Sequence, residues 1–409
     1  MTVASAPPEA TQPRKAAIAF IFVTVVIDVL AMGVVIPVLP SLVEGFLGGD
    51  TARAAAYYGL FGTVWALMQF VCSPILGSLS DHVGRRPVIL ISCLGLGLDY
   101  VFMALAPTLG WLFVGRVISG ITSASMATAM AYIADVTPIE KRAGSFGMMG
   151  AAFGLGFVIG PALGGLLGSV DPRLPFWFSA GLALANTLYG FFVLPESLTP
   201  DRRSAFSWRK ANPLGSLELL RSHHELFGLA GVMTLYYLAH TVLPSMFVLY
   251  AGYRYGWDAR TVGITLAIVG VCAMIVQGVL VKPLVARFGE RATLLAGLTC
   301  GIIGFTAYSL VPEGWMIWLF TPVLACMGIF GPSVQALMSR RVQPHEQGKL
   351  QGANASIMGI TGMVGPALFT QSFSRSITPG GPVHWPGTPF FLAGLLVFSA
   401  LVLASRVTR

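Results

Sequence analysis

The chain has 409 residues, of which 55% are hydrophobic and only 10% charged, with a formal net charge of +8. A soluble domain averages about 25% charged residues, so this chain has too few charges to cover a water-facing surface. The stretches between its charge clusters are apolar for about 20 residues, the length of helix that matches a hydrocarbon core of about 30 Å. Porin-like strands would alternate apolar and polar residues over about 10 positions, and no such alternation is present.

In chain order, residues 1–15 are Pro/Ala-rich and read as a disordered cytoplasmic tail. No cleavable signal peptide is evident, because the first apolar stretch is too long and contains Asp28. Spans are predicted at 16–39, 57–79, 88–107, 109–134, 143–168 and 175–195. A polar connection at 196–222 follows, then spans at 223–250, 259–286, 292–311, 315–338, 350–372 and 389–407. The expected architecture is all-α and membrane-spanning: twelve transmembrane helices in two pseudo-symmetric six-helix bundles, over 16–195 and 223–409.

Asp28 sits near the middle of the first span. Gln69 is an uncharged polar residue of the second. The turn after it carries Gly77, Asp81, Gly84, Arg85, Arg86 and Pro87. Gly84 permits a tight reversal and Pro87 suits a first helical turn. Asp81 can pair with the arginines or with a facing helix N-terminus. The bland reading is a short inside-positive loop, but the spacing is richer than that needs.

Asp99 lies near the middle of span three, and Arg116 lies in span four, nearer the outer side. A charge at the bilayer centre costs about 2.5–3.5 kcal/mol on insertion scales, so such a group is retained mainly when it pairs or titrates. Two readings follow: a structural ion pair between Arg116 and one Asp, or proton cycling on Asp28 or Asp99 with Arg116 as modulator. In span five, Gly156, Gly160, Gly164 and Gly168 recur on one helix face, with Pro161 and Gly165 among them. Small residues at that period allow close helix approach, and the Gly160-Pro161 pair invites a bend.

The second half has no acid deep in any span. His240 is its one deep histidine, read more readily as a hydrogen-bonded bundle residue than as a proton carrier. Gln277, Gln335 and Asn354 could line a substrate path or bond helices together.

With the N-terminus inside, the inner connections hold Arg85, Arg86, Lys141, Arg142, Arg202, Arg203, Arg209, Lys210, Arg221, Arg287, Arg291, Arg340, Arg341 and Lys349. The outer ones hold only Arg53, Arg173, Arg254, Arg260 and Arg375. This is the positive-inside pattern, so the basic balance is topological and argues against a nucleic-acid partner. The halves also echo one another. Gly84 and Gly289 each precede a charged pair, Pro138-Ile139-Glu140 matches Pro344-His345-Glu346, and Gly160-Pro161 matches Gly365-Pro366, at offsets of 205 or 206 residues. Duplicated halves around a midplane site are a common basis of alternating access.

The five cysteines, Cys72, Cys93, Cys272, Cys300 and Cys326, all lie in apolar stretches without metal-ligand or disulfide spacing, and read as small apolar packers. No phosphate-binding loop is present, so ATP is not expected to drive the protein directly, and no catalytic motif suggests an enzyme. No cofactor or metal site is expected.

These residues resemble the major facilitator superfamily, in its twelve-helix drug/proton antiporter branch. The Gly77–Pro87 loop is similar to that superfamily's signature between helices two and three. Arg116 to Gly120 resembles its helix-four motif, Gly156 to Gly165 its helix-five antiporter motif, and Asp28 to Gly33 its helix-one motif. Within the branch the chain is most similar to bacterial tetracycline efflux proteins, through segments such as Leu98-Asp99-Tyr100, Gly256-Trp257-Asp258 and Gln335 to Ser339. The resemblance implies proton-coupled export of an amphiphilic drug across the bacterial inner membrane, with a metal-chelated tetracycline the leading candidate. A divalent metal would enter only as part of that chelate. By motif it implies that Asp28 and Asp99 are the buried acids, that Gln69 is pocket-associated, and that Asp81, Arg85 and Arg86 form the gating loop. The chain departs from the pattern at two positions. Ala273 and Gly301 stand where that family usually has a histidine and an aspartate. A carrier of another drug or metabolite, and a non-transporting receptor on the same fold, are the alternatives. The expected partners are a small-molecule drug, protons and the bilayer; nothing in the sequence sets the oligomeric state.

Overall fold

The computed structural model describes residues 12–122, 125–138, 142–208, 212–219, 224–343, 346–380 and 384–408. The first eleven tail residues, Lys141, Arg209, Lys210, Arg221, and the Ile139-Glu140 and Pro344-His345 members of the second echo lie outside the described residues.

The helices of the first half are α1 Gln12–Val35, α2 Leu39–Phe46, α3 Thr51–Val83, α4 Arg85–Leu105, α5 Leu109–Thr122, α6 Ser125–Val136, α7 Arg142–Val170 and α8 Leu174–Val193. Those of the second are α9 His224–His240, α10 Val242–Tyr255, α11 Ala259–Ile275, α12 Val281–Leu310, α13 Trp315–Ala325, α14 Phe330–Ser339, α15 Gln347–Ile377 and α16 Thr388–Val407. Asp50 caps α3 through the Arg53 amide, and Asp258 caps α11 through the Thr261 amide. The Thr261 hydroxyl and amide also hold Asp258 below the usual carboxylate range.

Among the described residues, ten stretches are long and apolar enough to cross a membrane. One of them, Ala259–Leu310, is 52 residues long and breaks at Gly289 within α12, where φ is 75° and ψ 167°. It therefore holds enough chain for two crossings. Helix α15 is 31 residues long but rich in Gly, Ser, Thr and Gln, and falls short on composition rather than length. The expected count of twelve rests on these two segments. Helix α3 extends to Val83, beyond the 57–79 prediction, because its polar last turn stays helical.

Gly84 and Gly289 share one backbone device. Gly84 has φ 112° and ψ 158°, close to Gly289, so the reversal between helices two and three recurs 205 residues later. The echo extends to charge. Arg85 pairs with Asp135 in the first half, and Glu290 pairs with Arg340 in the second, each residue again 205 positions from its counterpart but with the signs reversed.

Lipid tails are as apolar as leucine, so helix association in a bilayer depends on close approach. The span-five glycines serve this on two faces of α7. A Cβ on Gly160 would fall 2.7 Å from the Gly33 Cα, and one on Gly164 would fall 2.0 Å from the Val34 carbonyl oxygen, so α7 lies directly on α1. Gly156 and Gly168 meet Val29 and Val38 of the same segment. Gly165 faces the other way: its Cβ would fall 2.5 Å from the Ala259 carbonyl oxygen on α11. Pro161 is carried inside a continuous α7.

The two halves meet along two seams, α7 against α11 and α3 against α15. In the second seam the Thr63 hydroxyl donates to the Met363 carbonyl at 2.9 Å, and Gly59 lies against Thr370. Nearer the Gly77–Pro87 end the same helices and the turn of chain after α11 carry Gly77, Gly150, Gly278 and Gly348, and a Cβ on any of these would meet nothing within 4 Å. The close contacts between the halves thus lie at the end opposite that loop and at mid-depth.

Candidate functional site

Three groups of side chains stand out: the acids of the first half, the charged end of α4, and a cavity in the second half. Asp28, on α1, points at the junction of α1, α4 and α8. Asn186 of α8 donates its side-chain amide to Asp28 Oδ1 at 3.0 Å and to the Thr24 carbonyl at 3.1 Å. The Cys93 thiol of α4 lies 3.7 Å from Asp28 Oδ2. Asp99 follows Cys93 by six residues on α4, about 9 Å along the helix. It is 2% exposed, and among the described residues no hydrogen bond closes on either carboxylate oxygen.

Arg116 and Ser119 of α5 are the polar neighbours of Asp99. Gly115 lets α5 come close, since a Cβ there would fall 3.2 Å from Asp99 Oδ1. The Arg116 guanidinium sits over the Trp65 ring at 5.5 Å and closes no ion pair with either acid. Tyr100, fully buried beside Asp99, interacts with Asp99, Arg116 and Asp28, so the three charges share one neighbourhood. Leaving a carboxyl group buried without a partner is costly, which makes the retention of Asp99 informative.

At the end of α3 and start of α4, Arg85 is 8% exposed and spans three partners. Its Nη1 lies 2.6 Å from Asp81 Oδ1 and from the Ser80 hydroxyl, and its Nε 3.1 Å from Asp135 Oδ2. The backbone amides of Arg85 and Arg86, exposed at the helix start, donate to Glu196 at 2.9 and 3.2 Å. Ser197 donates to Asp135 at 3.2 Å, and Arg86 donates to the Phe191 carbonyl at 2.6 Å. The connection between the halves is tied in as well. The Ser204 amide donates to the Asp81 carbonyl at 3.0 Å, and Ser356 of α15 donates to the Pro213 carbonyl at 2.5 Å.

Gly84 and Gly289 can be told apart here. Both have positive φ, which costs a side-chain-bearing residue about 1–3 kcal/mol. A Cβ on Gly84 would also fall 2.3 Å from Glu196 Oε2, whereas one on Gly289 meets nothing within 4 Å. Gly84→Ala is therefore expected to lower the unfolding midpoint in detergent clearly more than Gly289→Ala does. Equal shifts would mean that Glu196 yields freely.

In the second half a cavity of about 300 Å³ is lined by Tyr236, Tyr237, His240, Gln277, Thr321 and Met327 together with smaller apolar residues, Ala273 among them. His240 and Gln277 come together here, with their side chains accessible. Gln335 does not line this cavity. Its Oε1 accepts from Asn354 at 2.7 Å and joins α14 to α15. Gln69 is half-buried on α3, near the seam with α15. Gly301 lies against Met327, whose sulfur would be 2.5 Å from a Cβ there.

Sequence reading did not assign Asn186, Glu196 or a role for Asp135. Glu196, in a polar segment just after a span, could have been read as a cap by its place; Asn186 gave no pattern.

This arrangement, a helical membrane bundle in two halves with buried acids in one and a cavity in the other, defines a polytopic membrane transporter rather than an enzyme. The Major Facilitator Superfamily profile matches residues 21–366 and, in a second alignment, 229–408. The class C tetracycline resistance protein of Escherichia coli is 38% identical over 362 residues, 88% of this chain and 91% of that one. The class D protein of Salmonella ordonez is 34% identical over 95% of this chain and 97% of its own. Among solved structures, a mutant form of the nucleoside transporter NupG superposes with a TM-score of 0.78 at 14% identity, over 96% of this chain and 99% of that one. The chain belongs to the Major Facilitator Superfamily.

Proposed function

We propose that the protein is a proton-coupled exporter of an amphiphilic drug in the bacterial inner membrane, working by alternating access, with tetracyclines the leading substrate. The observation that carries this reading is the acid pair of the first half. Asp28 and Asp99 sit in transmembrane helices, and among the described residues no lysine or arginine closes an ion pair on either. A carboxyl group held that way is suited to take up and release a proton as the site opens to each side in turn. Two relatives that span nearly the whole chain are tetracycline resistance proteins, which supports a drug as cargo.

The excess of arginine at the Gly77–Pro87 end supports placing that end, both termini and the 196–222 connection in the cytoplasm. With the halves joined at the opposite end, the molecule is then in an inward-open state. Ala273 and Gly301 favour keeping a second reading, a carrier of a different drug or metabolite by the same cycle. A susceptibility panel in an efflux-deficient bacterial host tests both. Expression is expected to raise resistance to tetracycline most. Resistance to other compounds alone would select the second reading, and resistance to none would remove export of drugs altogether.

A further inference from the structure

The cavity of the second half is built almost wholly from groups without charge. Its wall on α9 is aromatic: the Tyr236 ring stacks on Phe330 of α14 with centroids 3.9 Å apart and lies near-parallel to His240 at 6.0 Å, while Tyr237 meets Tyr236 edge-on at 5.2 Å. The Tyr236 hydroxyl is tied to the Met327 carbonyl at 3.4 Å, and Tyr308 and Thr321 satisfy each other at 2.7 Å. Three polar groups are left over, the Tyr237 hydroxyl among them. The His240 imidazole and the Gln277 amide are accessible and hydrogen-bond no other described residue.

Two of the cavity's walls also depart from α-helical geometry. Residues Val276–Leu280 form a π-helical turn that carries Gln277, and Cys326–Ile329 form a 3-10 turn that carries Met327 and Gly328. These turns touch each other across the cavity. Irregular turns inside long helices are frequent at functional sites. A volume of about 300 Å³ is at the lower end for small-molecule sites. Among the described residues no aspartate, glutamate, lysine or arginine lines it, so a full charge placed inside would lack a compensating partner there.

We propose that this cavity binds the flat, uncharged face of an aromatic, oxygen-bearing drug directly, with the ring against the Tyr236–Tyr237 wall and its oxygens on Gln277 and His240, and with no divalent cation between drug and protein. This rests on the export reading above and names the cargo it takes. Ligand recognition then belongs to the second half and proton handling to the first.

The test is equilibrium binding of tetracycline to the purified full-length protein, by fluorescence, in EDTA and in excess magnesium. Affinity is expected to differ by less than about threefold between the two conditions. Gln277→Ala and Tyr237→Ala are expected to weaken it about tenfold, the size of one lost hydrogen bond or ring contact. Gln277 is accessible and bonds no described residue, so its variant should keep the wild-type unfolding midpoint and elution volume. Binding seen only with magnesium overturns the proposal, as does unchanged affinity in both cavity variants, tighter binding of the permanent flat cation ethidium, or no binding in either condition. Tetracycline binding in EDTA without drug-induced proton movement in vesicles would instead uphold this site and remove the proton-coupled reading.

Discussion

Asp28→Asn and Asp99→Asn are each expected to reduce drug-induced proton movement in inverted membrane vesicles to the level of empty vesicles. The amide keeps the shape of the carboxyl group and removes only its capacity to gain and lose a proton. At position 28 the replacement can still accept from Asn186, which now bonds the carboxyl at 3.0 Å, so the α1–α8 contact persists. At position 99 an amide can face the Ser119 hydroxyl of α5 as the carboxyl does. Both variants should therefore reach the membrane in normal amount, which a quantitative blot would check. Tyr100 lies within electrostatic reach of both acids and of Arg116, whereas Arg116 acts on Asp99 alone of the two acids. His240→Ala, by contrast, removes a residue of the drug cavity and should reduce proton movement only in part. Normal movement in both Asp variants would end the coupling assignment. Complete loss in the His240 variant, with tetracycline binding retained, would move it to the second half.

The second large effect is expected at Arg85. Its fork reaches Asp81, Ser80 and Asp135 from one side chain. Arg85→Ala leaves Asp135, a partly buried carboxylate, with Ser197 as its remaining partner among the described residues. Breaking a buried charge pair from one side costs about 3–5 kcal/mol, and the partial exposure of Asp135 places this case near the lower figure. Asp81 is more exposed and contributes little to stability. Arg85→Lys should recover little, since a point charge cannot reproduce the fork. Unfolding in detergent is the measurement. Arg85→Ala/Asp135→Ala is expected to cost clearly less than the two single changes added together. Simple additivity would mean that the pair is not coupled and that Arg85 acts through Asp81 and Ser80.

The fold was legible because the bilayer allows few solutions: every backbone polar group must be satisfied within its own segment, so long apolar runs are helices. Predicted spans such as 389–407 coincide with α16 to a residue. Where prediction and structure part, local chemistry explains it. The 223–250 span divides at Thr241, whose hydroxyl bonds back to the Leu238 carbonyl at 2.6 Å, leaving α9 and α10 as separate helices. The two acids were legible because a charge deep in lipid is conspicuous. Their surroundings were not. Asn186 meets Asp28 from 158 residues away, and Glu196 caps α4 from 111 residues away. No periodicity within a helix encodes such pairings. The cavity was half legible: His240 and Gln277 stood out as polar residues in apolar spans, but the π turn that carries Gln277 and the 3-10 turn against it have no sequence signature of the kind that marks a cap or a turn.

The reversed ion pairs bear on how the chain assembles itself. The halves echo one another at matched positions, so a helix of one has a counterpart place in the other as the chain enters the bilayer. In such a mispaired bundle α4 would bring Arg85 against Arg340, and α12 would bring Glu290 against Asp135. Both encounters are repulsive, whereas the native ones attract. Arg340 is largely exposed, so the swap of sign biases the choice of partner only weakly. A gene fusing two copies of the first half would lack even that bias.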